Sequence, residues 1–210
     1  MRPGRTALLA NPSLKAATRY GSHRLAAPGP VGIIPPRPVG ACLHGRLSSN
    51  VRPHMATWSQ LTFSPSPESV AALRQHWAWK LGGHWTPIMF SVIGDVFVEL
   101  DAKSVWWLST ATGSLEQVAD SRDEFKHLLG TDRADEWFLP GLVDALHAHG
   151  KVPGPDQCFS YAILPVFAHG SFSAENMNPV PASEHFALSG HVHQQIQGLP
   201  DGANVEIKVV

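Results

Sequence analysis

Cysteine is almost absent from this 210-residue chain, which has only Cys42 and Cys158. Two such distant residues make neither a disulfide framework nor a CxxC metal knuckle. A reducing cytoplasm is the simplest compartment to expect. No apolar run approaches the ~20 residues that a membrane-spanning helix needs. Acidic residues are missing from the first 54 positions, which carry eight Lys or Arg, and the first carboxylate is Glu68. From Met55 onward the balance reverses, with eight basic against seventeen acidic residues. The total of −1 therefore joins a segment of +8 to a body of −9. A body of that sign repels nucleic acid and suits a basic protein surface, although ordinary solubility is the plainer account of it.

The familiar motifs of catalysis are missing as well. The chain has no HExxH, no GxSxG elbow, no Walker A loop and no GxGxxG turn. Cys158, His185, His191 and His193 are the sharpest candidate set, as four possible ligands for zinc. Their spacing argues against it, because on a helix His191 and His193 point about 200° apart. Cys158 with His185 forms a conceivable nucleophile pair, but a cysteine on an apolar strand is more often a small core residue. Asp95, Glu99 and Asp101 are read as solvated edges of a sheet in preference to an acid/base pair. Asp120, Asp123 and Glu124 suit a helix N-terminus, and His147 and His149 suit a helix C-terminus. Trp77 reads as core, and Trp79 as core or surface. The sequence thus assigns no catalytic, cofactor-binding or metal-binding residue, and the expectation is a protein that is not an enzyme.

What is present is a patterned α+β body. Even positions from Phe90 to Leu100 are apolar, as in a half-buried strand. Asp101 to Ser104 turns the chain into Val105–Leu108, and Thr110 to Ser114 turns it again into Leu115–Val118. Ser121 with Glu124 opens a helix carrying Phe125, Leu128 and Leu129. The expected fold is an antiparallel meander sheet packed against several helices. Upstream, Ser66-Pro67-Glu68 starts a helix that runs through Val70, Leu73, Trp77 and Leu81 to Gly82-Gly83. Downstream, Asp132 opens a helix that Pro140 must kink or restart, with Gly150 as its stop. Gln157–Ile163 reads as a strand extended by Leu164–Phe167, and 169–181 as a loop. Ser183–Leu188 reads as a short strand, and Ser189 as the cap of a helix through Val192 and Ile196. Val205, Ile207 and Val209 alternate as in a terminal strand.

Residues 1–54, rich in Pro, Gly, Ala and Arg without a sustained period, are expected to be a disordered basic segment. The favoured reading is an upstream extension with Met55 as the native start. A genuine disordered tail, a transit peptide and a nucleic-acid-binding arm are the alternatives. Residues 55–210 are then expected to form one α+β domain.

Two blocks carry a family resemblance. The first is Gly94-Asp95-Val96-Phe97, Val105-Trp106-Trp107-Leu108 and Ala119-Asp120-Ser121-Arg122-Asp123-Glu124-Phe125. The second is Gly154-Pro155-Asp156-Gln157-Cys158-Phe159, Leu164-Pro165, His185-Phe186, Gly190-His191-Val192-His193-Gln194-Gln195 and Leu199-Pro200-Asp201-Gly202. Together, from about Trp85 to Ile207, they resemble the C-terminal domain, of unknown function, of bacterial type VI secretion DNase-immunity proteins. The resemblance implies a small cytoplasmic immunity protein that binds and blocks a cognate toxin, possibly a DNase. It implies no reaction, no cofactor, and no direct contact with nucleic acid or membrane. The His-Phe and Gly-His-Val-His-Gln positions look like structural signatures. The alternative is a stand-alone intracellular binding domain with a structural or regulatory role.

Overall fold

The computed structural model describes residues 56–101, 103–200, 202, 203, 205 and 207. The expectations for residues 1–54 and for Val209 lie outside the described residues. In chain order the elements are α1 (Trp58–Leu61), β1 (Thr62–Phe63), α2 (Pro67–His76), α3 (Ala78–Leu81), β2 (Trp85–Ser91), β3 (Val96–Leu100), β4 (Ser104–Leu108), β5 (Leu115–Ala119), α4 (Arg122–Leu128), α5 (Arg133–Phe138), α6 (Pro140–Ala148), β6 (Gln157–Tyr161), β7 (Met177–Pro181) and α7 (Ala182–Ile196). The first five strands form an antiparallel meander in the order β1-β2-β3-β4-β5, and β6 pairs with β7 in a separate two-stranded sheet. The α+β fold expected from the sequence is the fold observed.

The Phe90–Leu100 segment is two strands instead of one. Gly94, at φ +91°, turns the chain between β2 and β3, and Ser91 N–H closes the turn on the carbonyl of Asp95 at 2.9 Å. Nor is one face left to solvent. Side chains alternate across a strand, and Val96, Phe97 and Val98 are all fully buried. Phe97 enters an aromatic cluster with Phe125, Trp137 and Phe138, its ring 4.9 to 5.5 Å from theirs. Val96 and Val98 join Leu73, Trp77, Leu108, Cys158 and Phe186 on the opposite face. The sheet therefore has α4, α5 and α6 against one side and α2 and α7 against the other.

Two of the capping signals act as the sequence suggests, whereas the Asp132 side chain makes no cap hydrogen bond to α5. Ser66 Oγ accepts from Ser69 N–H at 3.1 Å, and Ser121 Oγ from Glu124 N–H at 3.2 Å. Glu124 reaches back one residue further than in the usual box, to Asp120 N–H at 2.7 Å. Pro140 does restart the helix, with Leu139 left-handed at φ +45° between α5 and α6. The helix that opens at Ser66 ends at Trp77 and resumes as α3, so that Trp77 packs fully buried and stacks on Trp79 at 5.8 Å.

The C-terminal third departs most from expectation. β6 stops at Tyr161, and residues 177–181 of the expected loop form β7. The expected strand at Ser183–Leu188 and the helix capped at Ser189 are one helix, α7. Val205 and Ile207 are not part of a strand. The buried stripe of α7 runs His185, Phe186, Ser189, Gly190, Val192 and His193, which is helical spacing written largely in polar letters. Ser189 caps nothing, because its hydroxyl donates to the carbonyl of His185 one turn back at 2.6 Å.

Helices α2 and α7 cross at Gly190. A Cβ built there would stand 2.6 Å from the backbone oxygen of His76. Gly190→Ala must therefore spread the two helices, and a loss of about 1–3 kcal/mol in urea unfolding is expected. Gly141, exposed in α6 with open space around it, provides the contrast. Gly141→Ala should stabilise by about 0.4–1 kcal/mol by restricting the unfolded chain. Equal effects at the two sites would show that the close crossing does not matter.

Candidate functional site

The turn that divides β2 from β3 also buries Asp95, which is 2% exposed. Its Oδ1 accepts from Thr110 N–H at 2.8 Å and lies 3.3 Å from the Thr110 hydroxyl, and its Oδ2 accepts from the indole N–H of Trp107 at 3.2 Å. Burial raises its pKa to about 7 against these stabilising bonds. The reading of Asp95 as a solvated sheet edge is therefore corrected. Glu99 instead pairs with Arg122, and Asp101 is exposed, with φ +54°.

Two histidines of α7, eight residues apart on one face, hold the β4–β5 loop. His185 Nε2 is 2.9 Å from Thr110 Oγ1, and its Nδ1 is 2.9 Å from Ser160 Oγ on β6. Burial lowers the His185 pKa to about 4. As a neutral imidazole it donates at one nitrogen and accepts at the other. His193 Nε2 is 2.9 Å from the carbonyl of Thr110. A carbonyl only accepts, so this nitrogen carries the proton and donates. Thr110 is thus fixed at its amide, its hydroxyl and its carbonyl. Each histidine also sits over a left-handed glycine. A Cβ at Gly94 would strike His185 Nε2, and one at Gly113 would lie 2.6 Å from His193 Nδ1.

This arrangement defines what the candidate metal ligands do. Burial raises the Cys158 thiol well above its ordinary pKa, so it stays protonated inside the core. The β6 side chain that meets His185 is Ser160. His193 is buried, while His191, two residues earlier on the helix, is half-buried. No group of three or more His, Cys, Asp or Glu side chains able to hold a metal ion occurs among the described residues. Of the other flagged histidines, His149 Nδ1 closes α6 on the carbonyl of Ala145 at 2.8 Å, and His147 lies 3.4 Å from the Gln60 amide.

Above Asp95 opens a cleft of about 470 Å³. Asp95 lines it from the β2–β3 turn, Trp107 from β4, and Ser109, Thr112 and Ser114 from the pinned β4–β5 loop. Ile93, Leu139 and Phe172 supply its apolar wall, and Glu116 and Glu136 are also among its lining residues. Phe172 is half exposed. Its loop is nevertheless fixed. The Asn176 amide donates to the carbonyls of Ile163 and Ser171, both at 2.8 Å, and Tyr161 meets Phe172 edge-on at 5.6 Å. A second cleft, of about 500 Å³, lies beside α1 and includes Trp58, Leu61, Asp132 and Asp135. Helix α5 therefore contributes carboxylates to both openings. Sequence reasoning missed Thr110 and Ser160, which bond to a histidine 75 and 25 residues away, and Leu139 and Phe172, since nothing local marks them as part of a pocket built from four separate segments.

Comparison with known proteins adds three findings. No curated protein matches the chain. The crystal structure of Atu4351 from Agrobacterium tumefaciens is similar at a TM-score of 0.38 with 17% identity, over 65% of this chain and 69% of that one. The family model described as T6SS immunity protein Tdi1, C-terminal, matches residues 119–193, which run from the end of β5 to His193 and include Glu136, Leu139, Ser160, Phe172 and His185. Over that span, which holds α4 to β7 and most of α7, the chain resembles the C-terminal part of a type VI secretion immunity protein.

Proposed function

We propose that this protein is an immunity protein that binds a cognate nuclease-type toxin delivered by type VI secretion and neutralises it without chemistry of its own. The family match over residues 119–193 carries the reading. The buried groups fit a binding role: the Cys158 thiol is protonated, His185 is neutral, and the histidines serve to fix a loop. The excess of acid from Met55 onward suits a toxin whose own substrate is a polyanion, because a nuclease must present a basic face that carboxylates can cover. The cytoplasm, where such a toxin meets DNA, is the proposed place of action. No described helix is long and apolar enough to cross a membrane.

Co-expression tests this directly. Cells producing the toxin encoded beside this gene should die without the full-length chain and grow with it. Failure to protect against every neighbouring toxin candidate would remove the reading.

A further inference from the structure

We infer that the cleft over Asp95 is an arginine-accepting subsite, built to take one guanidinium side chain of a protein partner between Trp107 and Phe172. The inference rests on the immunity reading for the identity of that partner, and on the cleft itself for its chemistry.

The lining combines two features that a single side chain can satisfy together. Ile93, Leu139, Trp107 and Phe172 offer apolar and aromatic surface, and Glu116 and Glu136 are exposed carboxylates at its edge, with no Lys or Arg among the lining residues. A cation with a long apolar stem matches that pattern. Arginine matches it better than lysine does. Its planar guanidinium stacks on aromatic faces while presenting donors at its edge, and it sheds water more readily than an ammonium. Arginine is also among the residues that dominate binding energy when seated in a preformed pocket. At about 470 Å³ the cleft lies within the range of small-ligand sites, roughly 300–1,000 Å³, with room for a side chain and the backbone that bears it.

The charges are available to a newcomer. Glu136 currently pairs with Arg133 at 2.8 Å, but both side chains are more than half exposed and such a pair holds weakly. The floor is rigid, because Asp95 and Trp107 hydrogen-bond to one another and Thr110 is held from three directions. Rigidity matters here, since a preformed site does not lose affinity to ordering its own side chains on binding.

The test titrates full-length protein, labelled with nitrogen-15, with N-acetylarginine amide. The indole N–H of Trp107 serves as reporter because it points at the Asp95 carboxylate. A saturable shift at millimolar probe is expected. Glu116→Gln combined with Glu136→Gln should weaken it about tenfold, and Phe172→Ala should weaken it with both carboxylates intact. N-acetylcitrulline amide, equal in shape but uncharged, should produce no saturable shift. A response linear in probe, an equal response to citrulline, or indifference to all three substitutions would overturn the assignment. Because no toxin is needed, failure here and failure of the co-expression experiment are separate outcomes.

Discussion

Gly94→Ala is expected to cost this protein about 3–5 kcal/mol, a large share of the roughly 5–15 kcal/mol that holds an ordinary domain folded. Two independent costs meet at one methyl group. At φ +91° the backbone is left-handed, where an L side chain loses about 1–2 kcal/mol against glycine. The new Cβ would also stand inside the contact distance of His185 Nε2. His185 has no free direction in which to retreat, because it is bonded at both ring nitrogens. Moving it breaks its bond to the Thr110 hydroxyl or to Ser160 and strands a buried ring nitrogen, at about 1–3 kcal/mol. A double-mutant cycle in urea separates the two costs. In a His185→Ala background the clash disappears and only the backbone strain remains, so the substitutions should be less than additive by about 1 kcal/mol or more. Strict additivity, or a Gly94→Ala protein within 1 kcal/mol of the parent, would show that the imidazole does not rest on this glycine.

The same glycine explains why part of the fold was legible and part was not. Alternation from Phe90 to Leu100 correctly announced a sheet, but it ran straight through Gly94, where the chain reverses. Even-numbered residues stayed apolar on both sides of the turn, so the pattern held no mark of the reversal. Ile93 and Phe97, apolar at odd positions, were the overlooked signal that a second face is buried. Caps at Ser66 and Ser121 were legible because capping is local, one hydroxyl and an amide three residues on. Helix α7 was not, since the stripe it buries includes His185, Ser189, Gly190 and His193, which become core residues only when Thr110 and His76 are brought against them. Strand β7 hid for a related reason. Met177-Asn178-Pro179-Val180-Pro181 reads as a loop, yet proline is tolerated in a strand where the ladder does not call for its N–H, and a two-stranded sheet is all edge. Asp95 was misjudged because a carboxylate beside a glycine suggests a solvated turn. Its burial depends on Trp107 and Thr110, twelve and fifteen residues away.

Acid should pull the stability of the parent protein in opposite directions through buried groups between about pH 6.5 and 4, and two single substitutions should separate those pulls. His185 is lowered from 6.5 to about 4, so the unfolded chain takes up a proton that the native protein refuses. Its contribution is complete above pH 6.5 and is lost as the pH falls toward 4, on the order of 3 kcal/mol. His193, also lowered by burial, adds in the same direction. Asp95 is raised from 3.8 to about 7, so here the native protein holds a proton that the unfolded chain has released. Its contribution is complete below pH 3.8 and is lost as the pH rises through 7, on the order of 4 kcal/mol. Cys158 and Tyr161, which face the same cluster, are both raised and keep their protons throughout this window. The opposed slopes share one cause. Burial penalises either ion, and the Thr110 hydroxyl between the two groups bonds equally well to neutral partners. Asp95→Asn removes the carboxylate's compensation, and the urea midpoint should then fall steadily from pH 6.5 to 4. His185→Gln should do the reverse, with the midpoint rising as acid protonates Asp95. If both variants kept the parental profile, the two groups would have to titrate natively as they do in the unfolded chain, and the cluster around Thr110 would not be the buried, neutral one that its distances describe.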